Sequence, residues 1–118
     1  MKTQLQSSVI KSVTLLIVLL TFNLSGYSQN VVIPDANFKA FLVADGTINI
    51  NMDTEIQVSE AVAYSGELNV NSQSIADLTG IEAFTTLTVL RCSFNSLTSL
   101  DVSANTALTQ LHCQVNSL

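Results

Sequence analysis

The chain has 118 residues, 47% apolar and 11% charged, with four basic and nine acidic side chains. That length holds one domain at most. Its last 90 residues carry two of the basic and all nine acidic side chains, a net charge of −7, which excludes nucleic-acid binding driven by Lys and Arg and disfavours anionic membranes.

In chain order, residues 1–28 read as a signal peptide. Lys2 and Lys11 give a basic start, and Val13–Phe22 is an apolar run broken only by Thr14 and Thr21. Gly26 and Ser28 then place small residues at the −3 and −1 positions of a cleavage site. The run is shorter than the ~20 apolar residues of a membrane span. The expectation is export, with no membrane insertion once the signal is removed.

Residues 29–64 predict a small helical N-terminal cap. Asp35, after Pro34, is placed to cap a helix over Ala36–Ala44, with Phe38, Phe41 and Leu42 at helical spacing and Gly46 beyond its end. A second short helix is expected from near Ser59, holding Ala61, Val62 and Ala63 inward. Between them, "NINMDTEIQVSE" has twelve residues at EF-hand spacing. Asn49, Asn51, Asp53, Glu55, Gln57 and Glu60 fall at ligand positions 1, 3, 5, 7, 9 and 12, with Ile56 at the apolar position. Asn at the first position and Thr54 where the turn wants Gly depart from that pattern. Two readings stay open: a weak calcium site, or an Asn/Asp-rich turn that binds nothing. Calcium is the one ion this chain offers a ligand set; no other cofactor is called for.

Residues 65–118 are repetitive. "LTVLRCSFNSL" (Leu87–Leu97) and "LTQLHCQVNSL" (Leu108–Leu118) agree at seven of eleven letters, 21 positions apart. The pattern L-x-x-L-x-C-x-x-N-x-L is a leucine-rich-repeat signature with Cys in one leucine slot. A looser copy lies upstream, where Leu68, Val70, Gln73, Ile75 and Leu78 match Leu90, Cys92, Asn95, Leu97 and Leu100 at a shift of 22. The period-two pair Leu90 and Cys92 points both side chains to one side of a short strand. Stacked in parallel ~4.8 Å apart, such strands make inward columns Leu68–Leu90–Leu111 and Val70–Cys92–Cys113. Asn95 and Asn116 sit where the chain leaves the strand, with amides able to satisfy turn backbone. Leu97, Leu100, Ile81, Phe84 and Val102 fill the rest of the core.

These stretches, "LTGIEAFTTL" and "LTSLDVSANTALTQL" together with the preceding "VVIPDANFKAFLV" and "NMDTEIQVSEA", resemble the internalin-like leucine-rich-repeat proteins secreted by Bacteroidetes-type bacteria. The resemblance covers nearly all of residues 29–118. It implies an extracellular or surface-attached binding protein, commonly with more repeats and an anchoring domain. The sequence stops inside a repeat, so the expectation is a truncated piece of about two and a half repeats with poor solubility alone. The expected fold class is an α/β solenoid: leucine-rich-repeat coils with short parallel strands, preceded by the helical cap.

No catalytic constellation emerges. His112 is the only histidine, and no carboxylate near it in sequence would orient it. Cys92 and Cys113 are read as free inward fillers rather than a disulfide or a metal site, because His112 alternates to the other side of the strand. The candidate ligand-binding residues lie on the concave strand face: Asn69, Arg91 and His112 in one row, Asn71, Ser93 and Gln114 in a second, with Glu67, Val89 and Gln110 beside them. The expected function is non-catalytic recognition of a protein or glycan at a cell surface. The alternative is a structural, calcium-assisted cap fragment of a larger secreted protein or enzyme.

Overall fold

The computed structural model describes residues 29–118; the signal peptide read over 1–28 lies outside the described residues. The elements in order are helix α1 (Ala36–Ala44), helix α2 (Val58–Ala63), strand β1 (Gly66–Asn69), a single 3₁₀ turn (Ile81–Ala83), strand β2 (Leu87–Arg91) and strand β3 (Gln110–His112). The strands form one parallel sheet in the order β1-β2-β3.

The register is the sequence period made physical. Leu68 lies opposite Leu90, a shift of 22, and Leu90 opposite Leu111, a shift of 21. Leu68, Leu87, Leu90, Val70 and Cys92 are buried, as are Ile75, Leu78, Ile81, Phe84 and Leu97 from the turns. Leu100, Val102, Leu108 and Cys113 are partly buried against them. Leu111 and Leu118, on the last repeat, are 41% and 58% exposed, while their counterparts Leu90 and Leu97 are 0% exposed.

Asparagines tie one repeat to the next. Asn95 Nδ2 donates to the Val70, Cys92 and Ser93 carbonyls, and its Oδ1 accepts from the Gln73 and Ile75 N–H groups. Asn116 repeats this 21 residues on: Nδ2 donates to Cys92 and Cys113 carbonyls, and Oδ1 accepts from Leu97 N–H. Just before each of these positions the backbone turns left-handed, at Phe94 (φ 58°) and Val115 (φ 55°), and Ser72 matches them at φ 57°.

Helix α1 has the boundaries expected of it. Asp35 caps it, Phe38 and Leu42 face inward, and Phe41 is partly buried. Its end is made by Asp45 in extended geometry, whose N–H donates to the Leu42 carbonyl; Gly46 takes no left-handed φ there. Helix α2 starts at Val58, with the Gln57 N–H donating to Glu60 Oε2. Only Ala61 of its expected inward trio is buried: Val62 and Ala63 are exposed, because six residues turn just one face inward.

Three contacts fasten the start of the N-terminal segment, residues 31–37, to the repeats, and Thr86 Oγ1 fastens its end by donating to the Val62 and Tyr64 carbonyls. Val31 and Ile33 run against Gly80, where an added Cβ would lie 2.8 Å from Ile33 Cγ1 and where φ is 109°. Asn37 Nδ2 donates to the Ser74 carbonyl at 2.8 Å. Asp35 does two jobs: Oδ1 accepts from the Asn37 and Phe38 N–H groups of α1, and Oδ2 from the Ala76 and Asp77 N–H groups of the first repeat. Partial burial pushes its carboxyl up, but the four N–H donors outweigh that and hold it below the ordinary value of 3.8.

A depressed folded pKa means stability that is present above 3.8 and is lost as pH falls through the folded value. Thermal melts stepped from pH 7 to pH 2 should show that acid limb, and Asp35→Asn should shrink it. Asp35→Ala, which strands four N–H groups, should lower stability at pH 7 by about 2 kcal/mol, on the scale of a lost N-cap.

Candidate functional site

The outward strand face assembles as the repeat period requires. Glu67, Val89 and Gln110 lie opposite one another, and Asn69, Arg91 and His112 form the adjoining row. The Asn71, Ser93 and Gln114 row is stitched by its own side chains. Ser93 N–H donates to Asn71 Oδ1 at 2.8 Å, and Ser93 Oγ donates to Gln114 Oε1 at 2.7 Å. Asn69 Oδ1 accepts from the Asn71 N–H. Arg91 Nε donates to Glu67 Oε1 at 2.8 Å, and His112 Nε2 lies 3.5 Å from Gln110 Oε1. The Arg91–Glu67 pair is about one-third to one-half exposed, so it fixes side-chain position and contributes little stability.

All six expected face residues are therefore together, with one correction. Ser93 is 4% exposed, and its hydroxyl is spent on Gln114. It holds the row in place and is not itself a contact surface. Sequence alternation places Ser93 on the outward side, but the flanking amides close over it.

The six loop residues read as calcium ligands also come together, and they bind one another. Asn51 Nδ2 donates to Asp53 Oδ2 and Gln57 Oε1, and Gln57 Nε2 donates to Asp53 Oδ2. Asn51 Oδ1 accepts from Asp53 N–H, and Asp53 Oδ1 from Glu55 N–H, the bonds of consecutive Asx turns. The Glu60 carboxylate is divided between the Asn51 and Gln57 N–H groups, and Glu55 pairs with Lys39 at 2.7 Å. Asp53 is held below its usual range, first by the Glu55 N–H and further by the Gln57 and Asn51 side chains. Asn49 is buried, with Nδ2 on the Val43 and Asp53 carbonyls and Oδ1 without a partner. Among the described residues no group of three or more His, Cys, Asp or Glu side chains is placed to hold a metal ion.

Cys92 and Cys113 are both free thiols, Cys92 buried and Cys113 half-buried. Burial, and then the neighbouring Cys113, pushes the Cys92 thiol up to about 11, so it is neither nucleophile nor ligand at neutral pH. A groove of about 390 Å³ lies between the turns, with Asp77, Glu82 and Asp101 on its wall. Sequence reading did not single it out. Each of those carboxylates serves its own turn: Asp77 takes Thr79, Asp101 takes Ser103 and Glu82 takes Gly80. Asn105 is also absent from the sequence reading. It is buried, with Nδ2 donating to the Ile81 and Phe84 carbonyls. The position 21 residues earlier is Phe84, so the repeat carried no signal for it.

No family profile matches the chain. Over 73 residues it is 41% identical to Internalin J of Listeria monocytogenes serotype 4b (strain F2365), a match that covers 62% of this chain and 8% of that protein. The solved functional domain of InlJ from Listeria monocytogenes, described as including a cysteine ladder, matches at 37% identity and TM-score 0.62, over 77% of this chain and 20% of that one. An internalin, InlF, from L. monocytogenes strain 4b F2365 matches at 22% identity and TM-score 0.59, over 76% and 27% of the two chains. The chain thus has an internalin-like leucine-rich-repeat fold, and it spans a small fraction of the length of these relatives.

The geometry generates two expectations. Iodoacetamide at pH 8 should label Cys113 well before Cys92, whose thiolate fraction there is on the order of one in a thousand; mass spectrometry of timed samples reads the order. The loop carboxylates already serve backbone and side-chain donors, so millimolar calcium should leave the melting temperature unchanged. A rise of several degrees, reversed by chelator, would establish the loop as a calcium site.

Proposed function

We propose that this chain is a non-catalytic extracellular binding module that recognises a protein or glycan at a cell surface through its strand face. In this reading residues 1–28 direct export, residues 29–64 cap the N-terminal end of a solenoid, and residues 65–118 are its first repeats. The observation that carries it is the outward face itself: the in-register row Asn69, Arg91 and His112, flanked by Glu67, Val89 and Gln110 and continued past the strand ends by the hydrogen-bonded Asn71, Ser93 and Gln114, with the dry core on the other side of the sheet. The likeness to Internalin J, over 73 residues, supports a surface protein-binding role. Among the described residues no helix is long and apolar enough to cross a membrane. Catalysis has no part in this reading: His112 is near Gln110, Ser93 is bonded to Gln114, and the Cys92 thiol stays protonated.

A structural cap assisted by calcium is the second reading. One observation favours it, the buried Asn49 Oδ1 without a partner in the same loop as Asn51, Asp53, Glu55, Gln57 and Glu60.

Substitution separates the two. Arg91→Ala combined with His112→Ala removes the centre of the face, and these side chains contribute little to the core. Binding of the purified chain to intact cells, read by flow cytometry, should fall at least tenfold with the melting temperature within a few degrees of the parent. Unchanged binding would remove the strand face from the function and leave the structural reading.

A further inference from the structure

The strand face has a hydrogen-bond polarity that its composition does not reveal. Asn and Gln offer donors and acceptors equally, and a row of them reads as neutral glue. Here the fold turns the amide oxygens onto the chain itself. Asn69 Oδ1 is taken by the Asn71 N–H, Asn71 Oδ1 by the Ser93 N–H, and Gln114 Oε1 by the Ser93 hydroxyl. Glu67 Oε1 is taken by Arg91 Nε, and Gln110 Oε1 faces His112. A backbone N–H can only donate, so the orientation of the Asn69 and Asn71 amides is fixed: oxygens inward, NH₂ groups outward. Among the described residues the Asn69, Asn71 and Gln114 side-chain nitrogens make no hydrogen bond, and Arg91 uses only its Nε–H.

We propose that this donor-lined face binds a carboxylate-rich, extended segment of a partner protein; the inference rests on the binding reading above and names the partner's chemistry. A carboxylate only accepts, and it takes several N–H donors at once, so it satisfies such a face without requiring acceptors in return. A sugar brings an O–H donor with every hydroxyl, and on this face those donors would have to share amide oxygens that already accept from the chain, or turn to the one Glu67 oxygen that Arg91 leaves open. The spacing also suits a polypeptide. Asn69 and Asn71 are two residues apart on one chain, about 6.6 Å along an extended backbone, and alternate side chains of an extended peptide repeat at the same distance. The chain's net charge of −7 opposes an acidic partner at long range. That field is screened beyond ~8 Å in physiological salt. Glu67 is ion-paired with Arg91, and residues 102–118, which carry His112 and Gln114, contain no acidic side chain.

The test follows side-chain amide resonances of the ¹⁵N-labelled chain by NMR while blocked peptides of alternating Glu and Gly, Gln and Gly, or Lys and Gly are added, with oligogalacturonate as a fourth probe. The Glu peptide should shift the Asn69, Asn71 and Gln114 NH₂ signals, and the Gln and Lys peptides should do so at least tenfold more weakly. Asn71→Asp and Gln114→Glu keep the oxygen that Ser93 uses, so both should retain the parent melting temperature and each should weaken the Glu peptide at least tenfold. Equal or stronger shifts of these amides by the Gln, Lys or galacturonate probe would overturn the partner chemistry and leave the face a binding surface. No shift by the Glu peptide, or full binding by both variants, would also overturn the inference. Shifts confined to signals away from this face would overturn the binding reading with it.

Discussion

The asparagine at the end of each strand is the interaction on which the rest depends. A parallel strand followed by a tight turn leaves backbone groups that neither sheet nor helix can pair, and burying them unpaired costs about 1–3 kcal/mol each. Asn95 answers five such groups with one side chain, three carbonyls through Nδ2 and two N–H groups through Oδ1. Most of those groups belong to the preceding repeat, so the device points backward along the chain. That direction explains Gln73. The first repeat has no repeat behind it, and Gln73 Nε2 reaches only the Asn71 carbonyl. What precedes it is the N-terminal segment, and there Asp35 does the fastening, with one oxygen on α1 and the other on residues 76 and 77.

The same device explains why the backbone accepts strain. Phe94 and Val115 hold left-handed φ values, a conformation costing roughly 1–2 kcal/mol for a residue with a Cβ. Phe94 and Val115 are 58% and 64% exposed, so burial of these side chains does not compensate. The compensation lies in the backbone: the Phe94 N–H donates to the Gln114 carbonyl, and the left-handed step lets the Cys92 and Ser93 carbonyls converge on Asn95 Nδ2. Several hydrogen bonds of about 1 kcal/mol each outweigh the local penalty.

Much of this was legible in the residues. The 21- and 22-residue spacings fix which side chains stack, because parallel pairing leaves no freedom once Leu90 must lie over Leu68. Helix α1 was legible for the same reason: Asp35 before a Phe38–Leu42 pair is a local signal with a local outcome. What was not legible depends on two distant segments meeting. The second oxygen of Asp35 reaches residues 41 and 42 positions away, and Asn105 holds a turn 21 and 24 positions back with no counterpart in the earlier repeat. Ser93 fails for a subtler reason. Alternation gives the side of the sheet, and depth on that side is set by neighbours such as Asn71 and Gln114. In the Asn49–Glu60 loop, spacing shows which side chains share the turn, while their directions depend on partners it does not reveal: backbone N–H groups for Asn51, Asp53 and Glu60, and Lys39 for Glu55.

Two asparagines of adjacent repeats therefore answer to different physics, although the sequence spells them alike. Asn95 uses both ends of its amide on the chain. A carboxylate there would lose three donated bonds and set its charge against the Val70, Cys92 and Ser93 carbonyls. Asn71 uses only its oxygen on the chain, with the Ser93 N–H, and a carboxylate would serve that bond equally well. Stability alone thus requires the amide at Asn95 and leaves it optional at Asn71. The fold does not need the NH₂ group of Asn71, nor those of Asn69 and Gln114. The donors of the strand face are what remains of the polar inventory once the fold has been held together, and they stand at a spacing set by the strands.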